Sequence, residues 1–175
     1  MKKIFIGLLV IVSVFVAYVA LQPEDFKISR SMSMAASPQE VFEEVNDFHN
    51  WEAWSPWAKI DPNAKATYEG LSSGVGAIFK WSGNNEVGEG SQTIIESQTG
   101  QLVKIQLDFL KPFKATNTAE FIFTPEGSNT RVTWSMYGKN NFIGKAMSLF
   151  MDCDKMVGAQ FEKGLLSLKM VVEAK

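Results

Sequence analysis

Side chains able to move protons, attack carbonyls or hold metal ions are sparse in this chain. Its 175 residues include one histidine, His49, and one cysteine, Cys153. General acid–base work near neutral pH would fall first to His49. That residue follows Asp47 and Phe48 at the end of an expected helix, where a polar side chain ordinarily decorates the terminus. Cys153 has neither a histidine nor a second cysteine near it in sequence, so a thiolate nucleophile would lack an activating partner. Asp152 and Asp154 stand two apart, a spacing that on a helix points two carboxylates to different faces. A His/Cys metal site needs three or four ligands together, more than this composition supplies. Gly74-Val75-Gly76 and Gly88-Glu89-Gly90 lack the lysine and helix that follow a phosphate loop. They read instead as turns and bulges that let a sheet curve. The expectation is no catalytic set, no cofactor and no metal.

The aromatic residues are the richer signal. Trp51, Trp54 and Trp57 fall within seven positions and are followed or interrupted by Ser55-Pro56. An indole has an apolar body and one N–H, so it suits either the mouth of a cavity for an amphipathic ligand or a seal over the end of a sheet. Sealing is the expectation for Trp51, and both roles stay open for Trp54 and Trp57. Strand parity turns Phe79, Trp81, Leu107, Phe109, Phe121, Trp134 and Met136 to one face, and Phe161 to the apolar stripe of the last helix. These residues are either ordinary core or the lining of a cavity. Asn117 shares parity with Ala119 and Phe121. It either orients the polar head of a ligand or is satisfied by backbone near a strand end.

The elements that carry these residues are legible. Phe26 to Ala35 alternates as a strand, interrupted on its apolar parity by Arg30. Ser37-Pro38-Gln39-Glu40 combines an N-cap serine, a proline at the first helical position and a capping-box glutamate, and Val41, Phe42, Val45 and Phe48 give the buried stripe of the helix that follows. Short strands are expected around Tyr68, Ala77–Trp81 and Thr93–Glu96. Leu102–Leu110 and the segments around Phe121 and Trp134 then form an antiparallel meander. From Asn141 the period turns helical, with Phe150, Val157, Phe161, Leu165, Leu168 and Val172 as one stripe and a break near Asp152 or Asp154. Gly158 and Gly164 inside that helix cost about 1 kcal/mol each relative to alanine and are read as permitting close backbone approach.

At the N-terminus, Lys2 and Lys3 precede an uncharged apolar run from Ile4 to Leu21. As a helix this is about 27 Å long, near the ~30 Å of a bilayer core. A cleaved signal peptide is the rival, but Phe15 and Tyr18 stand where small residues should precede cuts after Ala17 or Ala20. Residues 1–22 are therefore read as a membrane anchor and residues 26–175 as one α+β domain. The two lysines keep the N-terminus in the cytoplasm, which puts the domain on the extracytoplasmic side of the inner membrane, periplasmic where a second membrane exists. The net charge of −2, with scattered lysines, gives no basic stripe for nucleic acid.

Several strings, SPQEVFEEVNDFHNWEAWSPW, GVGAIFKWSGN, KPFKATNTAEFIFTP, RVTWSMYGKNNF and DKMVGAQFEKGLLSLK, make the chain resemble the bacterial polyketide cyclase/dehydrase and lipid-transport branch of the START-like (helix-grip, SRPBCC) superfamily over residues 26–172. The resemblance implies a curved antiparallel sheet gripping a long C-terminal helix around a hydrophobic-ligand cavity. It implies no particular reaction. The functional expectation is a membrane-anchored binder or carrier of a hydrophobic or amphipathic small molecule or lipid. A cyclase/dehydratase-type enzyme using the same cavity and a structural partner of an envelope complex are the alternatives.

Overall fold

A computed structural model describes residues 2–175. The chain begins with helix α1, Lys2–Ala20, of whose residues only Val19 is buried. Strand β1 (Asp25–Met34) follows almost at once, and helix α2 (Pro38–Asn46) opens with the full capping box: the Ser37 hydroxyl accepts from the Glu40 amide and the Glu40 carboxylate accepts from the Ser37 amide. Val41, Phe42 and Val45 are buried beneath it. Proline at position 56 prevents any long continuation. The chain instead passes through a 3-10 turn at Phe48–Asn50, the short helix α3 (Trp51–Trp54) and a second 3-10 turn at Pro56–Lys59.

Six further strands complete the sheet: β2 (Lys65–Gly70), β3 (Ala77–Ser82), β4 (Glu89–Gln98), β5 (Leu102–Lys111), β6 (Ala115–Glu126) and β7 (Asn129–Lys139). They form one antiparallel sheet in the order β1-β7-β6-β5-β4-β3-β2, so the first strand closes beside the last. Two register shifts in β4, at Glu89/Gly90 and Ile94/Glu96, curl it. Gly88, at φ 70°, makes the turn into the first of these.

Helix α4 (Phe142–Ser148) and helix α5 (Cys153–Glu173) end the chain. The expected break lies at Asp152, whose carboxylate caps α5 by accepting from the Lys155 amide. Phe150 does not belong to the buried stripe, because it falls in the connection between the two helices and is largely exposed. The stripe proper runs through Phe161, Leu165, Leu168 and Val172, all buried, with Val157 packed against them.

Helix α5 lies across the concave face over β1 and β7, and its two interior glycines explain the contact. A Cβ on Gly158 would fall 2.1 Å from Nη2 of Arg30, and one on Gly164 would fall 2.7 Å from the Trp134 ring and 3.0 Å from Pro56. Arg30, the polar interruption in β1, points toward α5 and is held there. It donates to both carboxylate oxygens of Asp154, at 3.1 and 2.9 Å, and to Glu162 at 2.9 Å. These charge-assisted bonds raise the pKa of Arg30 and lower that of Asp154.

Candidate functional site

The concave face is covered unevenly, and each strand shows it. On β5, Val103 and Ile105 are fully buried, Leu107 nearly so and Phe109 only partly. On β7, Val132 and Trp134 are buried and Met136 is half-buried. On β6, Phe123 and Phe121 are buried, Asn117 is 9% exposed and Ala115 is open. Strand β3 repeats the pattern from buried Ala77 to half-buried Phe79 and Trp81. One half of the face is thus sealed and the other half, where Phe79, Trp81, Phe109 and Met136 are only half-buried, is a partly covered trough.

The sealed half is an aromatic stack. Trp134 lies between Phe161, at 4.2 Å and 8°, and its cross-strand neighbour Phe121, at 4.7 Å and 27°. Trp51, Trp54 and Trp57 meet the Trp134 ring edge-on. Trp51 and Trp54 also spend their N–H groups on the backbone of α2, donating to Val45 O at 2.9 Å and Glu44 O at 3.3 Å. Both are buried, whereas Trp57 is half-buried at the border of the trough. Nε1 of Trp134 is buried with no acceptor among the described residues, an unsatisfied donor that costs roughly 1–3 kcal/mol.

The open half gathers Phe79, Trp81, Leu107, Phe109, Asn117 and Met136. Phe79 and Trp81 stack at 6.2 Å, and Phe109 stands edge-on to Trp81. Glycine makes this floor possible at Gly90, where a Cβ would meet the Trp81 ring at 2.5 Å, so the indole packs directly against bare backbone. Its Nε1 donates to Val87 O at 3.1 Å. At Gly138 the amide oxygen of Asn117 takes the space a side chain would fill. Gln92, opposite Phe79 on β3 and Leu107 on β5, adds a half-buried amide that the strand reading passed over. The alternation Gly90, Gln92, Ile94 was its signal. A surface depression of about 510 Å³ at this end of the sheet is lined by Phe109 and Ala115 together with Asp108 and Thr116, and a second of about 440 Å³ lies at the α4–α5 junction.

The trough opens at the end of the sheet from which α1 departs. Asp25 pairs with Lys139, Asn117 with Gly138, Phe109 with Ala115 and Trp81 with Gly90, so these residues share one end. The titratable residues considered from sequence lie elsewhere. His49 stacks on Tyr68 at 4.2 Å, and its Nδ1 is 2.7 Å from the Asp47 carboxylate on an exposed rim. Asp154 pairs with Arg30, and Cys153 is exposed at the start of α5.

The sequence model of the polyketide cyclase/dehydrase and lipid transport family matches residues 25–173. The chain belongs to that family. Its START-like, helix-grip fold recurs in solved structures. A protein of unknown function from Staphylococcus aureus aligns at a TM-score of 0.65 and 13% identity, over 88% of this chain and 97% of that one. The Aha1 dimer from Colwellia psychrerythraea aligns at 0.59 and 16%, over 85% and 96%. Ara h 8.0201 aligns at 0.58 and 10%, over 86% and 99%. No curated protein sequence matches. As a polyketide cyclase/dehydrase and lipid transport family member, the chain has a hydrophobic-ligand-binding fold. In this member the aromatic stack fills the far half of the gripped space.

Proposed function

We propose that this chain is a membrane-anchored binder or carrier of a hydrophobic or amphipathic small molecule or lipid, taken up through the open trough. The observation that carries the reading is the direction of that opening, toward the end of the sheet where α1 leaves. Helix α1 is uncovered around nearly its whole circumference, and an apolar helix without protein cover calls for lipid. Its 19 residues reach about 28 Å, enough to cross a bilayer core. On this reading residues 1–22 are the anchor and 26–175 the binding domain. Lys2 and Lys3 keep the N-terminus in the cytoplasm and the domain on the extracytoplasmic side of the cytoplasmic membrane.

Within the trough, Trp81, Phe109, Phe79, Leu107 and Met136 receive the apolar body, and Asn117 and Gln92 offer amides to a polar head. Trp57 guards the border. Trp54, Phe121, Trp134 and Phe161 form the wall at the inner end, with the Trp134 N–H as a spare donor.

The test uses the full chain in detergent with a phospholipid brominated on its acyl chains. Trp81 and Trp57 are the accessible indoles, so saturable quenching that falls in Trp81→Phe is expected, with a lipid-sized mass retained in native mass spectrometry. Absence of both would refute the reading.

A further inference from the structure

Helix α4 is built inside out. Its one charged residue, Lys145, is 8% exposed, while Phe142, Ile143 and Met147 face outward, and Phe150 just beyond the helix is 77% exposed. A short helix on a water-facing surface would reverse that arrangement. The burial of Lys145 has a specific use. Its Nζ donates to Ala20 O, at the last residue of α1, at 3.4 Å, and lies 3.5 Å from a Glu24 carboxylate oxygen. The last carbonyls of a helix have no partner within it, and a cation there also suits the helix dipole. The Asn140 amide donates to Glu24 O at 2.7 Å, which ties the approach to α4 to the same point. Val19, the one buried residue of α1, lies beside this bracket in sequence.

The bracket sets the height of the apolar residues. The Phe150 and Phe15 rings are 6.4 Å apart. Phe15 is five residues before Ala20, about 7.5 Å down the α1 axis at 1.5 Å per residue. Amphipathic elements that lie in a bilayer interface bury their apolar side about 5–10 Å.

We propose that α4 and the α4–α5 connection form an interfacial wedge, with Phe142, Ile143, Met147 and Phe150 embedded in the lipid leaflet from which α1 emerges. This inference rests on α1 being a membrane span and is independent of any ligand. The wedge holds the domain down against the bilayer, fixing its orientation so that the trough opens onto the lipid surface.

The test places an environment-sensitive fluorophore on single cysteines of the full chain in a Cys153→Ser background. The positions are Ile143→Cys and Phe150→Cys in the wedge, Val12→Cys within α1, and Ser128→Cys in the turn at the opposite end of the sheet. The protein is reconstituted into phosphatidylcholine vesicles with nitroxide labels on the acyl chains. Several-fold stronger quenching at 143 and 150 than at 128, together with quenching at 12, is expected. Quenching at 12 with none at 143 and 150 overturns the wedge and leaves the anchor standing. Blue-shifted emission at 143 and 150 without lipid quenching means that protein covers the patch, which also overturns it. No quenching at 12 removes the anchor and the wedge together. The brominated-lipid experiment in detergent reads the trough separately from all of these.

Discussion

Gly164→Ala measures how tightly α5 is seated on the aromatic stack. In an isolated helix the change would stabilise by about 1 kcal/mol. Here the added methyl would stand 2.7 Å from Cζ3 of Trp134 and 3.0 Å from Cδ of Pro56, against ordinary carbon contacts of about 3.5–4.0 Å. Neither neighbour yields cheaply: Trp134 is stacked between Phe121 and Phe161, and Pro56 is a ring in a 3-10 turn. Overpacking of this kind costs about 1–3 kcal/mol, and rigid groups on both sides favour the upper end. The net expectation is a loss of about 2 kcal/mol, or roughly 4–8 °C in Tm for a domain of this size. Near-UV circular dichroism during thermal unfolding of the full chain in detergent reads it directly. Gly158→Ala is the internal comparison, because its methyl meets the end of the long Arg30 side chain, which can rotate away at the cost of partly exposed ion pairs. That variant should lie within about 1 kcal/mol of the parent, since helix propensity offsets the lost pairs. A Gly164→Ala protein as stable as the parent, or more so, would refute the tight seating.

Removing the α2 cap by Ser37→Ala should cost about 1 kcal/mol, seen as a fall of roughly 2–4 °C in Tm. The acid side of the stability profile has a defined sign. Hydrogen bonds from Arg30 lower the pKa of Asp154, and those from Ser37 lower that of Glu40. Their contribution is present above the ordinary carboxylate range and is lost as pH falls through the depressed folded-state values. A Tm series from neutral to acidic pH should therefore fall less steeply for Asp154→Asn than for the parent. Gly90→Ala places a methyl against the Trp81 ring and Asp108 O; it should shift Trp81 emission and weaken brominated-lipid quenching several-fold. Lys145→Met should leave the sheet intact but loosen α1 from α4, measurable as faster exchange of the Asn140 amide, which donates to Glu24 O at this junction.

Local rules sufficed for the elements of this protein. The capping box at Ser37 and Glu40, the alternation from Leu102 to Leu110 and the spacing of Phe161, Leu165, Leu168 and Val172 are short-range patterns set by backbone period and hydrogen-bond geometry, and the structure follows them. The family strings carried the fold because they span nearly the whole domain. Strand parity alone also collected the concave-face residues. It could not separate Trp54, Phe121, Trp134 and Phe161 in the sealed half from Trp81, Phe109 and Met136 in the open half. Parity names a face, whereas burial depends on which distant element covers that part of it.

The single histidine and single cysteine were a matter of composition and needed no fold. The run from Ile4 to Leu21 is likewise long and apolar enough, by sequence alone, to cross a membrane. Tertiary structure alone decided the rest: that Arg30 reaches across to Asp154 and Glu162, that Gly164 admits Trp134, and that Lys145 turns inward while Phe150 turns out. Each joins residues thirty or more positions apart or reverses a local preference, because a charge near a helix end or a ring between two others gains more there than its own segment can offer.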